Sequence, residues 1–346
     1  MQSRININVW LFIFAICGLV LFLANLWYGS VLISWADVFK ALSGLGTSFD
    51  VSKVIVLEYR LPQAITALAT GMALGVAGLL LQTVFRNPLA GPSVLGISSG
   101  ASLGVALVVL LGGAFNFTLL GSSDILSEFG IVMAAFVGAM SVLVIIIFVA
   151  NRIGSVVTIL IIGIMIGYTV SAVVGVLQYF SRAEELHAYV LWGLGNFSKT
   201  NMEQALFMLI ASTFVVGLSL FYIKPLNALL LGDQYARAIG VNTKSLQVVV
   251  IVIAGFLIAL ATAFAGPIAF VGLAIPHLAR AFFQTSNHRV ILPAVIILGG
   301  SLTLLCNLIA KLPGFDTSLP INAVTSIIGA PVVIWVIVRR GRLRRV

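Results

Sequence analysis

Long runs of Leu, Ile, Val, Phe, Ala and Gly alternate with short polar connections along the whole chain. The apolar runs fall at about 9–27, 61–81, 94–111, 129–149, 155–180, 205–222, 245–264, 266–283, 291–309 and 321–338. Each comes close to the roughly 20 residues that a helix needs to cross a hydrocarbon core. The pattern therefore predicts ten spans, with both termini on one side of a membrane. Only Ala265-Gly266-Pro267 separates the seventh run from the eighth, and the division is made there because Gly and Pro punctuate helices. Within the second run, Gly71, Gly75 and Gly78 permit close backbone approach, the feature by which helices associate where lipid gives no hydrophobic drive. This predicts a packed bundle.

Composition agrees with the pattern. Hydrophobic residues make up 61% and charged residues 8% of 346, too little polar surface for a water-soluble domain, so residues 1–346 read as one transmembrane domain. The run from Val9 to Trp27 lacks a small-residue cleavage site and reads as a retained first helix. Cys17 and Cys306 both lie in apolar runs and are expected to be buried small hydrophobes.

Charge gives the orientation. With the N-terminus cytoplasmic, 13 of the 19 basic residues fall inside: Arg4, Arg86, Arg152, Lys224, Arg237, Lys244, Arg280, Arg289 and the five arginines from Arg339 to Arg345. Of the acidic residues only Asp233 falls inside. The net charge of +9 thus reports topology, and anionic headgroups account for the basic tail without any nucleic acid.

Several chemistries find no support. Few ionisable groups lie deep in a span, whereas an ion-coupled carrier normally shows one. The chain contains no Gly-Lys dipeptide and hence no GxxxxGK[ST] phosphate loop, so an ATP-driven process requires a partner chain. His187, His277 and His288 form no acid-base or metal constellation and no HExxH motif is present, which speaks against a membrane-embedded enzyme.

Four segments are more particular than generic loops. Arg86-Asn87-Pro88-Leu89-Ala90-Gly91-Pro92, followed by Leu95-Gly96 and Gly100-Ala101, joins two Gly-rich runs. The connection from Lys224 to Lys244 contains a predicted short helix between Gly232 and Gly240, with Leu231, Tyr235 and Ile239 at four-residue spacing. That stripe either lies on its own bundle or needs a partner to cover it. From Gly266 to Arg280, Gly272 and Pro276 predict a bent helix. A metal or haem role for His277 there lacks a second ligand of suitable spacing, so a histidine bonded at the helix end is the simpler reading. Asn151 to Val157 reads on its own as a tight turn, and Arg60 and Lys311, at the ends of two spans, as headgroup anchors.

Taken in order, these segments resemble the FecCD permease family, the membrane subunits of type II ABC importers for iron-siderophore complexes, haem and cobalamin. The resemblance runs from about Glu58 to Arg339. It implies an all-α fold of ten transmembrane helices with both termini inside, in the bacterial cytoplasmic membrane. It further implies a homodimer around a central pathway, two ATP-binding partner subunits and one extracytoplasmic substrate-binding protein. This chain would hold no catalytic residue, metal or cofactor, since ATP and Mg belong to the partner ATPase.

By the same resemblance, Leu231, Gly232, Asp233, Ala236, Arg237 and Gly240 form the loop that couples to the ATPase, with Gln234 in place of a second acid. Arg60 and Lys311 would dock the binding protein. Gln63 replaces the second Arg of the family's Arg-Leu-Pro-Arg, and Asn307 replaces an Asp four residues before Lys311. Ser155, Val156 and Val157 would form the cytoplasmic gate. Arg86, Asn87, Pro88, Gly96, Gly272, Pro276, His277 and Arg280 belong to motifs that look structural. The implied cargo is a large iron chelate, a ferric siderophore or haem, because the family serves iron more often; cobalamin is the alternative within the fold, and an ATP-independent carrier the alternative outside it.

Overall fold

The computed structural model describes residues 7–44, 51–112, 124–153, 155–311 and 318–343, less the side chains of 124–128, 336, 337 and 339–343. Arg4, Asp50, Asp316, Arg344 and Arg345 of the charge count, and Gly154 of the predicted gate, lie outside the described residues.

The described chain is helical. In order the helices are α1 (Ile7–Trp27), α2 (Trp35–Ser43), α3 (Val51–Val54), α4 (Leu61–Val84), α5 (Ile97–Gly112), α6 (Asp124–Arg152), α7 (Val156–Phe180), α8 (Ala183–Gly193), α9 (Met202–Leu220), α10 (Ile223–Leu230), α11 (Asp233–Ala238), α12 (Thr243–Ala265), α13 (Val271–Phe283), α14 (His288–Ala310) and α15 (Ile321–Leu343). A π-helical turn, Ile55–Arg60, leads into α4, and a 3-10 turn, Pro92–Leu95, leads into α5.

Seven helices are long and apolar enough to cross a membrane, and three shorter apolar ones, Ile97–Leu111, Val271–Phe283 and Ile321–Trp335, complete the correspondence with the ten predicted runs. The break between the seventh and eighth runs is real. Helix α12 stops at Gly266, whose φ of 73° with ψ 179° is a backbone conformation open mainly to Gly, and α13 begins five residues later at Val271. Helices α2, α8 and α10 were not foreseen. The signal for α2 was present: Ser34 accepts a hydrogen bond from the Asp37 amide and Gly44 ends the helix at φ 74°.

Two compact units make up the chain. The first comprises Met1–Val76, Asn196–Phe214 and Ala269–Val346. Within it α4 and α14 touch backbone to backbone: a Cβ on Gly71 would lie 2.1 Å from the Gly299 carbonyl oxygen. Beside that crossing, Thr303 Oγ1 donates to the Ala67 carbonyl at 2.7 Å. Of the glycines predicted to mediate close packing, Gly71 does so here, at a contact distance that only Gly allows.

The second unit comprises Ala77–Gly195 and Val215–Ile268. Its α5 and α6 cross in the same manner, a Cβ on Gly100 falling 2.4 Å from the Gly138 oxygen. Gly96, at φ 71°, turns the chain from the 3-10 turn into α5 and sits against the Gly163 carbonyl of α7.

Large apolar side chains cover much of the outer surface, among them Phe12, Val144, Tyr168 and Phe214. On a protein whose spans face lipid, such exposure needs no aqueous partner. Cys17 belongs to this surface, which corrects the expectation that both cysteines are buried; only Cys306 is. A small thiol on the lipid side of α1 gains nothing from burial.

Candidate functional site

Helix α11 is set off by two glycines in conformations costly for other residues. Gly232 has φ 120° and Gly240 φ 89°. The Val241 amide donates to the Ala236 carbonyl at 2.9 Å and the Gly240 amide to the Arg237 carbonyl at 3.0 Å, closing the helix. Ala236 is fully buried and seats the helix, while Leu231, Tyr235 and Ile239 are 67%, 49% and 55% exposed. The three residues predicted from four-residue spacing are thus exposed, but only Tyr235 lies on α11, since Gly232 ends the helix short of Leu231 and Ile239 caps its far end.

Asp233 opens α11, where the positive end of the helix favours a carboxylate. Two arginines reach it. Arg237, one turn on, lies 2.7 Å away and also donates through Nε to Thr243 Oγ1 at 3.1 Å. Arg86 lies 3.7 Å away, from the segment after α4. Arg86 has φ 45° and ends that helix; Asn87 then accepts from the Leu89 amide at 2.9 Å, forming the turn that the Asn-Pro pair suggests. The motif thus presents a cation to the first turn of α11.

Helix α7 begins beside the same place. Its first turn is capped by Ser155, which accepts from the Thr158 amide at 3.4 Å. Val156 and Val157 line a cavity of about 390 Å³ together with Arg86, Asp233 and Arg237. Residues assigned separately to coupling, gate and structural motif thus meet around one space. Thr243, Lys244 and Gln247, from the start of α12, also line it and were not singled out from sequence. Their only signal was Asn242, which caps that helix by accepting from the Ser245 amide at 3.0 Å.

From Ala269 onward the Gly266-to-Arg280 motif builds a different feature, in the first unit. Phe270 takes a left-handed conformation, φ 64°, and the Ala269 amide beside it donates to Asn322 Oδ1 at 3.1 Å. Pro276 lies inside α13 and cannot donate to the Gly272 carbonyl, and His277 is buried. Among the described residues no group of three or more His, Cys, Asp or Glu is placed to hold a metal ion.

Arg60 and Lys311 are not the outward-facing cations that the sequence suggested. They are 5% and 9% exposed. Arg60 donates to the Leu26 carbonyl at 3.0 Å and to the carbonyls of Trp27 and Val31, so its guanidinium satisfies the last turn of α1 and the loop beyond. Lys311 Nζ donates to the Asn25 carbonyl at 3.2 Å. Burial, and then the charge of Arg60, push the Lys311 ammonium down to about 7. The two side chains act as ties on the end of α1, because carbonyls left free at a helix end attract donors.

Residues 16–339 match the profile of the FecCD transport family. The vitamin B12 import system permease protein BtuC of Klebsiella pneumoniae subsp. pneumoniae is 34% identical over 334 residues, 96% of this chain and 95% of that protein. BtuC of Escherichia coli K12 is 32% identical over 341 residues, covering 99% and 98% of the two chains. An inward-facing ABC transporter structure assigned to the metal-chelate type superposes with a TM-score of 0.82 at 28% identity, over 96% of this chain and 99% of that one. The PsaBC structure from Streptococcus pneumoniae shares the fold at a TM-score of 0.54 and 15% identity, over 86% of this chain and 95% of that one. With the family profile spanning nearly all of the helices, this chain belongs to the FecCD transport family and has the fold of a type II ABC importer permease, a multi-pass protein of the inner membrane.

Proposed function

We propose that the chain is the membrane-spanning subunit of an ATP-driven importer that moves a large metal chelate from an extracytoplasmic binding protein to the cytoplasm. Ten spans with both termini inside, pairing as a homodimer, and two ATP-binding partner chains complete the reading. The observation that carries it is the exposure of Tyr235 on α11 and of Leu231 and Ile239 at its two flanks, with Asp233 of the same helix held by Arg86 beside the start of α7. An apolar stripe at a water-facing end of the bundle needs a partner to cover it. Closure of the ATPase subunits would move α11 as a rigid body and shift Ser155, Val156 and Val157 at the gate, a hinge or shear transition between two packed states.

The names of the similar proteins move cobalamin ahead of the iron chelates, with ferric siderophore and haem as the second reading. Docking of the binding protein through Arg60 and Lys311 would require both to act from inside the structure, by holding the end of α1 and the loop after it in shape. No cofactor of this chain's own enters the mechanism.

Reconstitution of the chain into proteoliposomes with its ATPase and binding protein tests the proposal. ATP-dependent uptake of labelled cobalamin, ferric siderophore or haem, lost when Gly232 to Gly240 is disrupted, is the expected result. Uptake that needs no ATPase would overturn it in favour of a carrier.

A further inference from the structure

The cavity beside α11 holds more positive charge than its own residues neutralise. Arg86, Arg237 and Lys244 line it against a single acid, Asp233, which the two arginines already share. Among the described residues the Lys244 ammonium meets no acceptor and Gln247 Nε2, buried in the wall, has no hydrogen-bond partner. A buried donor left unmatched costs free energy unless something outside the chain accepts from it. Surplus cations and an orphan donor around one space call for an occupant that is anionic and rich in acceptors.

Position identifies the occupant. Val84 and Phe85 end α4, Val156 and Val157 begin α7, and Lys244 and Gln247 lie in the first turns of α12. All three helices are candidate spans, so the cavity lies at the level where spans leave the hydrocarbon and lipid phosphates reside. Its volume of about 390 Å³ falls within the range of small-ligand pockets, about 300–1,000 Å³. Its walls combine the cations with the apolar side chains of Phe85, Val156 and Leu229. Basic pockets between transmembrane helices are suited to anionic headgroups.

We propose that this cavity is a site for the phosphate headgroup of an anionic phospholipid, bound by Arg86, Lys244 and the Gln247 amide. A consequence for transport rests on the reading of α11 as the coupling helix: an occupant between α11 and the start of α7 stiffens the path from one to the other. Lipid retention itself does not depend on that reading.

Native mass spectrometry of the full-length protein, released from vesicles of equal phosphatidylglycerol and phosphatidylcholine, tests the site. Phosphatidylglycerol should be retained preferentially, with retention about fivefold weaker for each cation removed in Lys244→Gln and Arg86→Gln. Lys244→Gln keeps the Arg86–Asp233 pair, and an unchanged unfolding temperature for this variant separates loss of lipid from misfolding. Equal retention of the two lipids, or unchanged retention in both variants, overturns the proposal. Thermal stabilisation by inorganic phosphate without any preference for phosphatidylglycerol also overturns it, in favour of a free-anion site. Lipid retention as expected, in a complex whose transport ignores α11, would leave the site standing and fault the coupling reading instead.

Discussion

Gln63 and Asn307 meet inside the first unit, where Gln63 Nε2 donates to Asn307 Oδ1 at 3.1 Å and both side chains are buried. These are the two positions where the resemblance to the permease family implies an Arg and an Asp. Here they form a neutral amide pair in a place where an ion pair would fit. Ser198 accepts from the same Gln63 nitrogen at 2.7 Å, and Asn307 Nδ2 donates to Asn25 Oδ1 at 2.8 Å, so the network is closed without a charge. Gln63→Arg alone places an unpaired cation in it and should cost about 3 kcal/mol, as uncompensated buried charges do. Adding Asn307→Asp should recover most of that loss. Unfolding temperatures of the two single variants and the double in detergent check this; a double variant less stable than both singles would refute the pairing.

The glycine crossing of α4 and α14 allows no side chain. A methyl group at Gly71 would sit 2.1 Å from the Gly299 oxygen, and one at Gly299 would sit 2.3 Å from the Gly71 oxygen. Gly175, on α7, has nothing within 4 Å of its notional Cβ and provides the control. Gly71→Ala should destabilise by about 1–3 kcal/mol or more through overpacking, and Gly175→Ala by little or not at all. The yield of monodisperse protein after purification separates them.

Lys311 gives stability a pH dependence of defined sign. Its folded-state value of about 7 lies below the ordinary 10.5, with burial as the main cause and the neighbouring Arg60 charge as the second. Between about pH 7 and pH 10 the unfolded chain therefore binds more protons at this site than the folded one, and stability rises with pH across that window. Below it both states are protonated and the contribution is flat. Lys311→Met should reduce the slope of apparent unfolding temperature against pH from 7 to 9.5, and identical slopes in the two proteins would contradict the assignment.

Arg86 and Asp233 predict a coupling defect without a folding defect. Both side chains are well over a third exposed, so their 3.7 Å pair adds little to stability. Arg86→Gln and Asp233→Asn should each change the unfolding temperature only slightly and each reduce ATP-dependent uptake by the assembled transporter. If they act through one link, the double variant transports no worse than the poorer single. Multiplicative losses would show that the two residues act separately.

The apolar periodicity made the seven long spans and the three shorter apolar helices legible, and Gly266 even marked the narrow division between α12 and α13. Short helices such as α10, from Ile223 to Leu230, escaped because they lie within a connection whose composition does not separate them from it. Helix α11 was readable because Gly232 and Gly240 bracket it. Its cavity was not, since Arg86, Val156 and the Asp233-to-Lys244 segment come from three separate parts of the chain.

By itself the sequence determined the membrane class, the order of the spans and the family, because length, hydropathy and short motifs are properties of contiguous residues. Only the tertiary structure decided that Arg60 and Lys311 turn inward to the carbonyls of α1, that Gln63 answers Asn307, and that Arg86 reaches Asp233. Burial and partnership depend on which helices lie side by side, and a cation at the end of a span reads the same in sequence whether it faces water or a helix end.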